Sequence, residues 1–227
     1  EGPLFGKLQR GETVTTKVDS EYIHKKQTGG HGQYARVSIK VEPNRGHGYE
    51  FVDAVVGGAV PRNFIPAVEK GVHEALNEGA LAHFPMVDLK VTLYDGKEHP
   101  VDSKDIAFQI AARHAFKESM TKAKPVLLEP IMDVDIIVPD EFMGDIAGSL
   151  NSRRGRVMGM EPGDGQQTIK AKVPLEEMYK YVNELKSITG GRGAYTMTFS
   201  HYEVVPGNLA QSIVEKAKAT KKEEAEE

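Results

Sequence analysis

A glycine-rich segment near the start of the sequence combines residue types that can contact RNA. Three glycines among four consecutive residues permit positive φ angles and let the backbone approach a flat or anionic group closely. Lysines precede these glycines, and hydrogen-bonding and stacking side chains follow them. The segment contains Lys25, Lys26, Gly29, Gly30, His31, Gly32, Gln33 and Tyr34. Such a set suits RNA phosphates and bases, but it equally suits an ordinary hairpin tip with solvated lysines.

A histidine in a second predicted turn is the next candidate. His99 lies beside Lys97 in a turn predicted over residues 95–100, between a strand and a helix. A turn imidazole can hydrogen-bond a phosphate or a base, or act as a general base. Most loop histidines do neither, so position alone leaves the role open.

Three arginines form a basic run later in the chain. Arg153, Arg154 and Arg156 have no acidic residue near them between residues 151 and 160. The run can contact RNA, or it can simply complement the dipole at the carboxyl end of a helix.

Several chemical classes are excluded by composition and motif. The chain has no cysteine, which removes thiol catalysis and cysteine-bound metals. No stretch fits a P-loop or a dinucleotide fingerprint, no G-x-S-x-G elbow appears, and the histidines lack metal-ligand spacing. The net charge is −4, so contact with nucleic acid must come from local basic patches. No apolar run approaches the roughly 20 residues that cross a bilayer.

Hydrophobic periodicity predicts alternating strands and helices in the first half. Strands are predicted over residues 12–18, 37–41, 51–56 and 87–93. One helix follows Asn63, with Ile65, Val68, Val72 and Leu76 on one face and Gly79 as its stop signal. A second helix is predicted to be capped by Asp102 and to end near Lys124.

The second half predicts a separate unit with the order strand–helix–strand–strand–helix–strand. Strands are predicted over residues 131–138, 156–160, 168–173 and 195–199. Asp140 opens the first helix, and Leu175, Met178, Val182 and Leu185 form the stripe of the second. This order is typical of ferredoxin-like domains. A final helix from about Asn208 would turn Leu209, Ile213 and Ala217 inward, and residues 221–227 form a charged tail that is predicted to fray.

Several of these motifs together resemble the elongation factor G family. Residues 26–34, 57–61, 101–108 and 124–131 are similar to its fourth domain, and residues 144–145, 153–155 and 194–197 are similar to its fifth. The similarity extends from about residue 12 to residue 216, with the motifs in order.

The resemblance implies a fold class and a division of the chain. The fold is α/β (α+β): a ribosomal-protein-S5-like α/β domain over residues 1–125, then a ferredoxin-like βαββαβ domain over residues 126–204. A C-terminal helix and the charged tail occupy residues 205–227.

The resemblance also implies a function in translation. The tip residues would enter the decoding site of the ribosome and contact the tRNA–mRNA duplex during translocation. The second domain, with the three arginines, would touch ribosomal RNA and ribosomal protein. These tip residues are Gly29, Gly30, His31, Gly32, Gln33, Tyr34, Gly96, Lys97 and His99.

Other expectations also come from the resemblance. GTP and Mg²⁺ are expected only in a GTPase domain that this chain lacks, so the chain itself should hold no cofactor and no metal. The remaining domains of the same protein would be partners, a membrane would not, and the location would be cytoplasmic.

Two departures from the family pattern leave alternatives open. His31 stands where the family usually has arginine, and Ser152 replaces the first of three consecutive arginines. The parent protein is therefore either the main translocase or a paralogue that acts in ribosome recycling, ribosomal protection or stress. A rival of another class is an S5-fold enzyme acting on RNA or a small molecule, which would need a phosphate-cradling loop or clustered acids.

Overall fold

The computed structural model describes residues 8–27, 30 and 32–226. For residues 221–226 it describes only the backbone. The described residues form two compact units. Unit A comprises Arg10–Leu127 and the segment from Val205 onward, and unit B comprises Leu128–Val204 with the residues just before Arg10. None of the described helices is both long and apolar enough to cross a membrane.

Unit A is built on a four-stranded sheet in the order β2–β3–β5–β4. Neighbouring strands are antiparallel, except that β4 runs parallel to β5. The strands of this sheet are β2 (Val18–Lys26), β3 (Gln33–Pro43), β4 (Glu50–Asp53) and β5 (Leu89–Lys97), and a short strand of unit A, β1 (Gly11–Thr13), lies outside it. Its helices are α1 (Ile65–Leu76), α2 (Asp105–Lys122) and α5 (Gly207–Glu226).

The core of unit A lies between the sheet and the helices. The predicted alternation in β3 is confirmed, because Val37, Ile39 and Val41 are fully buried. The α2 residue Phe108 packs in the same cluster and stacks on Phe64, with 4.6 Å between ring centroids.

A glycine lets the two long helices of unit A approach each other closely. Gly71 lies on the buried face of α1, and a Cβ built there would overlap with the carbonyl oxygen of Gln109 in α2. Because that neighbour is backbone, a side chain at residue 71 would have to push the helices apart.

Unit B has the predicted βαββαβ order. Its elements are β6 (Val126–Pro139), α3 (Met143–Ser152), β7 (Arg156–Pro162), β8 (Gln166–Pro174), α4 (Tyr181–Thr189) and β9 (Ala194–Val204). The strands are antiparallel in the order β9–β6–β8–β7. Met132, Val134 and Ile136 in β6 share a core with Ile146 of α3 and Leu185 of α4. Together the two units confirm the fold class that the sequence predicted.

Some predicted boundaries in unit A are wrong. The strand predicted over residues 12–18 ends at Thr13, and the next strand runs from Val18 to Lys26, where no strand was predicted after residue 18. The strand β5 continues to Lys97, so the turn predicted over residues 95–100 starts later. Asp102 does not cap α2, which begins at Asp105 after an extended Lys104.

Two predictions near the ends of helices are also wrong. The stripe over residues 175–185 is divided by Lys180, whose φ is +60°, so Tyr181 is buried and Val182 stays 41% exposed. At the C-terminus the backbone of residues 221–226 continues α5, where the sequence predicted a frayed tail.

A buried carboxylate fixes the loop that precedes β5. Glu12 has no exposed surface and accepts hydrogen bonds from four backbone N–H groups of one loop. The donors are Ala80 at 2.6 Å, Leu81 at 2.7 Å, Ala82 at 2.8 Å and Phe84 at 3.1 Å. Buried backbone donors need partners, so this single side chain determines the conformation of the loop.

The same loop contributes to the surface on which the C-terminal helix packs. Ala82 is buried with Leu127 and Val205, and the inward face of α5 packs on this cluster. Leu209, Ile213 and Ala217 belong to that face, as the sequence predicted.

Replacing the buried carboxylate should destabilise unit A. Glu12→Gln puts an amide –NH₂ against backbone donors, so at least one buried N–H loses its acceptor, at a cost of about 3 kcal/mol in the free energy of unfolding. Urea unfolding followed by circular dichroism measures the change. Glu50→Gln, at an exposed position of β4, is the matched control and should have no effect. Equal stability of the two variants would contradict this role of Glu12.

Adding one methyl group at the helix crossing should also destabilise unit A. Gly71→Ala forces α1 away from α2 and should lower the melting temperature, at a cost of about 1–3 kcal/mol. Gly144→Ala in α3 is the control, because a Cβ there meets nothing within 4 Å and alanine favours helix by up to about 1 kcal/mol. A melting temperature that is unchanged by Gly71→Ala would show that the helices can separate freely.

Candidate nucleic-acid interface

The two predicted tip segments lie at the same end of the unit A sheet. Lys26 at the end of β2 pairs with Gln33 at the start of β3, and Lys97 at the end of β5 pairs with Arg36. Gly29 and His31 lie outside the described residues. Gly30 between them has a φ of +115°, a conformation that residues with side chains rarely adopt.

A serine that the sequence analysis missed joins these segments. Ser103 donates its hydroxyl to the carbonyl oxygen of Tyr34 at 2.7 Å, and its Oγ accepts from the backbone N–H of His99 at 2.8 Å. The backbone N–H of Tyr34 donates to the carbonyl oxygen of Asp102 at 3.0 Å. The start of β3 and the loop of residues 98–104 are therefore held together as one structure, which we call the tip.

Gly32 allows this close approach. A Cβ at Gly32 would lie 2.6–2.8 Å from the carboxyl atoms of Asp102. The glycine-rich sequence therefore serves packing within the tip as well as backbone flexibility.

The hydrogen bonds of His99 determine which ring nitrogen carries the proton. Its Nδ1 lies 3.3 Å and 3.2 Å from the backbone N–H groups of Val101 and Asp102 and accepts from both. A neutral imidazole that accepts at Nδ1 must carry its proton on Nε2. No hydrogen-bond partner of Nε2 lies among the described residues, and the side chain is 49% exposed. His99 thus presents a free N–H donor of fixed orientation.

Gln33 presents a second oriented donor. Its Oε1 lies 2.8 Å from Nε2 of His24 and accepts from that nitrogen, which leaves the amide –NH₂ available. Sequence analysis missed His24 in this role, because its partner Gln33 comes from the neighbouring strand β3. The ring of Tyr34 lies 6.2 Å from that of His99, at 59°.

Positive charge at this end of unit A is not neutralised. Within residues 8–27, 30 and 32–220, no carboxylate forms an ion pair with Lys25, Lys26, Lys97 or Lys104. Arg36, farther along β3, is paired with Glu21 at 3.1 Å and Asp95 at 2.8 Å. Unpaired lysines beside oriented neutral donors suit a polyanion that also carries hydrogen-bonding bases.

Gly96 lies elsewhere than predicted. It is buried within β5, and a Cβ there would overlap with the side chain of Val60 and lie 2.7 Å from the carbonyl oxygen of Arg36. Its place in the structure is explained by packing, since the turn begins only after Lys97.

The three arginines of unit B are paired with carboxylates. Arg153 binds Glu184, Arg154 makes a two-pronged contact with Glu129 at 2.7 and 2.9 Å, and Arg156 binds Glu203 at 2.6 Å. The side chain of Glu129 is almost fully buried.

These pairings remove the local excess of positive charge that the sequence suggested. The hydrogen bond to Glu129 raises the pKa of Arg154 above its usual value, with a further contribution from Glu177. The ring of Tyr181 lies 5.2 Å from the guanidinium of Arg153, which adds a packing role. Contact of these arginines with RNA stays a prediction, but their observed partners lie inside unit B.

No metal centre accompanies the tip or the arginines. Over the part of the chain that the structure describes, no three histidine or carboxylate side chains are arranged to hold a metal ion.

Removing the Ser103 hydroxyl should loosen the tip. Ser103→Ala leaves the carbonyl of Tyr34 and the N–H of His99 without their shared partner, so the amide hydrogens of residues 99–103 should exchange with solvent about tenfold faster, as a loss of about 1.4 kcal/mol implies. Hydrogen–deuterium exchange with mass spectrometry measures this. Ser187→Ala, at an exposed position of α4, is the control, and unchanged exchange in Ser103→Ala would contradict the bridge.

Comparisons with known proteins identify the family of this chain. Residues 6–124 match the family model "Elongation factor G, domain IV", and residues 126–213 match "Elongation factor G C-terminus". An "Elongation factor G-like protein" of Thermotoga maritima is 54% identical over 220 residues, which cover 96% of this chain and 32% of that protein.

A solved structure is similar over almost the same extent. A crystal structure of a Thermus thermophilus protein matches with a TM-score of 0.88 and 44% identity, covering 94% of this chain and 32% of that one. The chain thus spans about a third of the length of these relatives. Both family matches lie in chain order over most of the sequence, and the chain therefore belongs to the elongation factor G family, of which it carries domain IV and the C-terminal domain.

Proposed function

We propose that this chain is the part of a translational GTPase that contacts the ribosome, and that its tip enters the decoding site to promote movement of tRNA and mRNA. The observation that carries the proposal is the tip itself. Two N–H donors of fixed orientation, on His99 and Gln33, lie at one end of a sheet beside lysines without carboxylate partners.

The mechanism is binding, with no covalent step. Oriented donors stabilise the arrangement of RNA in which acceptors lie opposite them. A difference in the affinity of the protein for two arrangements of the RNA is enough to shift the equilibrium between them. A tip that is ordered before binding loses little conformational entropy on contact, so more of the interaction energy is available to favour the moved state.

Direction would come from the rest of the parent protein. We infer that GTP and Mg²⁺ bind in a preceding domain of the full-length protein, and that nucleotide hydrolysis there drives the tip into place. Ribosomal RNA and ribosomal protein are the expected partners of unit B.

A role as a paralogue is the second candidate. The description of the Thermotoga maritima relative as an elongation factor G-like protein favours it, as do the departures from the family pattern at His31 and Ser152. A paralogue that acts in ribosome recycling, ribosomal protection or stress would bind the same RNA with the same tip. A translocation assay therefore distinguishes the main translocase from such a paralogue.

In the full-length protein, His99→Asn should slow translocation about tenfold or more while leaving GTP hydrolysis unchanged. Asparagine can accept from the N–H groups of Val101 and Asp102 and so preserve the loop, but it lacks the free N–H of the imidazole, a contact worth about 1.5 kcal/mol or more to a charged acceptor. Rapid-kinetic measurement of mRNA movement on ribosomes, together with phosphate release, gives both rates.

His47→Asn is the matched control, because His47 is exposed in the turn at the opposite end of β3. It should translocate at the unmodified rate. Normal translocation by His99→Asn would contradict the proposed contact, and a parent protein that binds ribosomes but never translocates would favour the paralogue.

A further inference from the structure

A second group of reactive side chains lies in unit B and has no part in the proposed function. It forms where the pairing of β9 with β6 changes register. Ile131 pairs with His201 and Met132 pairs with Phe199, so Ser200 is an extra residue in β9. Such bulges re-aim side chains, and here the neighbours Ser200 and His201 meet, with 2.8 Å between Oγ and Nδ1. Consecutive residues of a regular strand point to opposite faces, so the bulge creates this contact.

The partners of this pair determine the direction of every hydrogen bond. Lys172 can only donate, and its Nζ lies 2.9 Å from Oγ of Ser200. An ionised Glu203 can only accept, and its Oε1 lies 2.8 Å from Nε2 of His201. A neutral imidazole must therefore carry its proton on Nε2, and the hydroxyl of Ser200 then donates to Nδ1.

Side chains from other strands of the sheet bind the two ends of this chain of hydrogen bonds. Arg156 of β7 donates to Glu203 at 2.6 Å, and Asp133 of β6 accepts from Lys172 at 2.6 Å. Burial raises the pKa of Glu203, but hydrogen bonds from His201 and Arg156 outweigh it and hold that pKa below its usual range. Glu203 is then ionised at neutral pH and can stabilise a positive charge on His201.

The arrangement has the parts of an activated nucleophile. A hydroxyl donates to an imidazole, a carboxylate orients that imidazole, and an ammonium group next to Oγ favours negative charge on the oxygen. The side chain of His201 is 42% exposed and that of Ser200 is partly exposed, so a small reagent can reach them.

We propose that Ser200 is a nucleophilic serine that accepts an acyl group from an activated acyl donor of the acyl phosphate class, with His201 as general base. Oγ forms an ester bond to the acyl carbon while the bond from that carbon to the phosphate oxygen breaks. Phosphate leaves with the bonding electrons. The hydroxyl proton moves to Nδ1 of His201 and then to the departing phosphate, so His201 is neutral again and nothing is oxidised or reduced.

The test uses the purified 227-residue chain and acetyl phosphate. Peptide mapping by mass spectrometry should find an acetyl ester on Ser200 that hydroxylamine removes, unlike acetyl amides on lysines. Ser152 is the internal comparison, since it is exposed and its hydroxyl donates only to the carbonyl of Ser149. We expect Ser200 to be acetylated at least about a hundredfold faster than Ser152, the usual gain from a general base.

Variants separate this chemistry from simple exposure. His201→Gln should slow acetylation of Ser200 about a hundredfold, while Ser152→Ala should leave it unchanged. Circular dichroism melting confirms that each variant is folded.

Equal rates at Ser200 and Ser152, or no effect of His201→Gln in a folded variant, would each overturn the proposal. None of these outcomes bears on the role of the tip, because the test involves no ribosome.

Discussion

The tip depends on the hydroxyl of Ser103, which joins two segments that lie far apart in the sequence. It donates to Tyr34 and accepts from His99, and so it holds the start of β3 against the loop after β5. Without that bridge each loop would order its own donors separately, and each would lose conformational entropy on binding RNA. The function that we propose relies on contact alone and needs donors arranged beforehand, and the hydrogen bonds of the tip arrange them.

A second fixed point lies at the other end of the unit A sheet. Glu12 orders the loop that leads into β5, and Ala82 of the same loop belongs to the apolar cluster on which α5 packs. Between these two ends, the close crossing of α1 and α2 at Gly71 leaves little room for one helix to move against the other. Unit A is thus held together by specific noncovalent contacts at its base, in its middle and at its tip, and these contacts make it rigid.

Periodic patterns predicted the elements of the fold well, because burial repeats along a strand or a helix. The alternation at Val37, Ile39 and Val41 and the inward face of α5 are confirmed. Element ends were predicted poorly, because contacts between distant segments determine them. Asp102 looked like a helix cap, but its backbone carbonyl binds Tyr34 and its carboxylate lies beside His99.

The candidate site was only partly predictable for the same reason. Glycine and lysine content indicated the tip, whereas His24 and Ser103 became visible only through their partners. The arginine run looked basic because sequence shows only neighbouring acids, while Glu129 and Glu203 come from other strands. The nucleophilic group at Ser200 depends on a register shift that no local pattern indicates.

Directed hydroxyl-radical probing tests the central claim most directly. This chain has no cysteine, so once any cysteine in the rest of the full-length protein is replaced, Glu98→Cys at the tip and Asp164→Cys in the β7–β8 turn each carry a tethered iron chelate at one known position. In the full-length protein on ribosomes, the probe at residue 98 should cleave small-subunit RNA around the decoding site, and the probe at residue 164 should leave that region intact. Absence of decoding-site cleavage from residue 98 in a protein that still binds ribosomes would contradict the account.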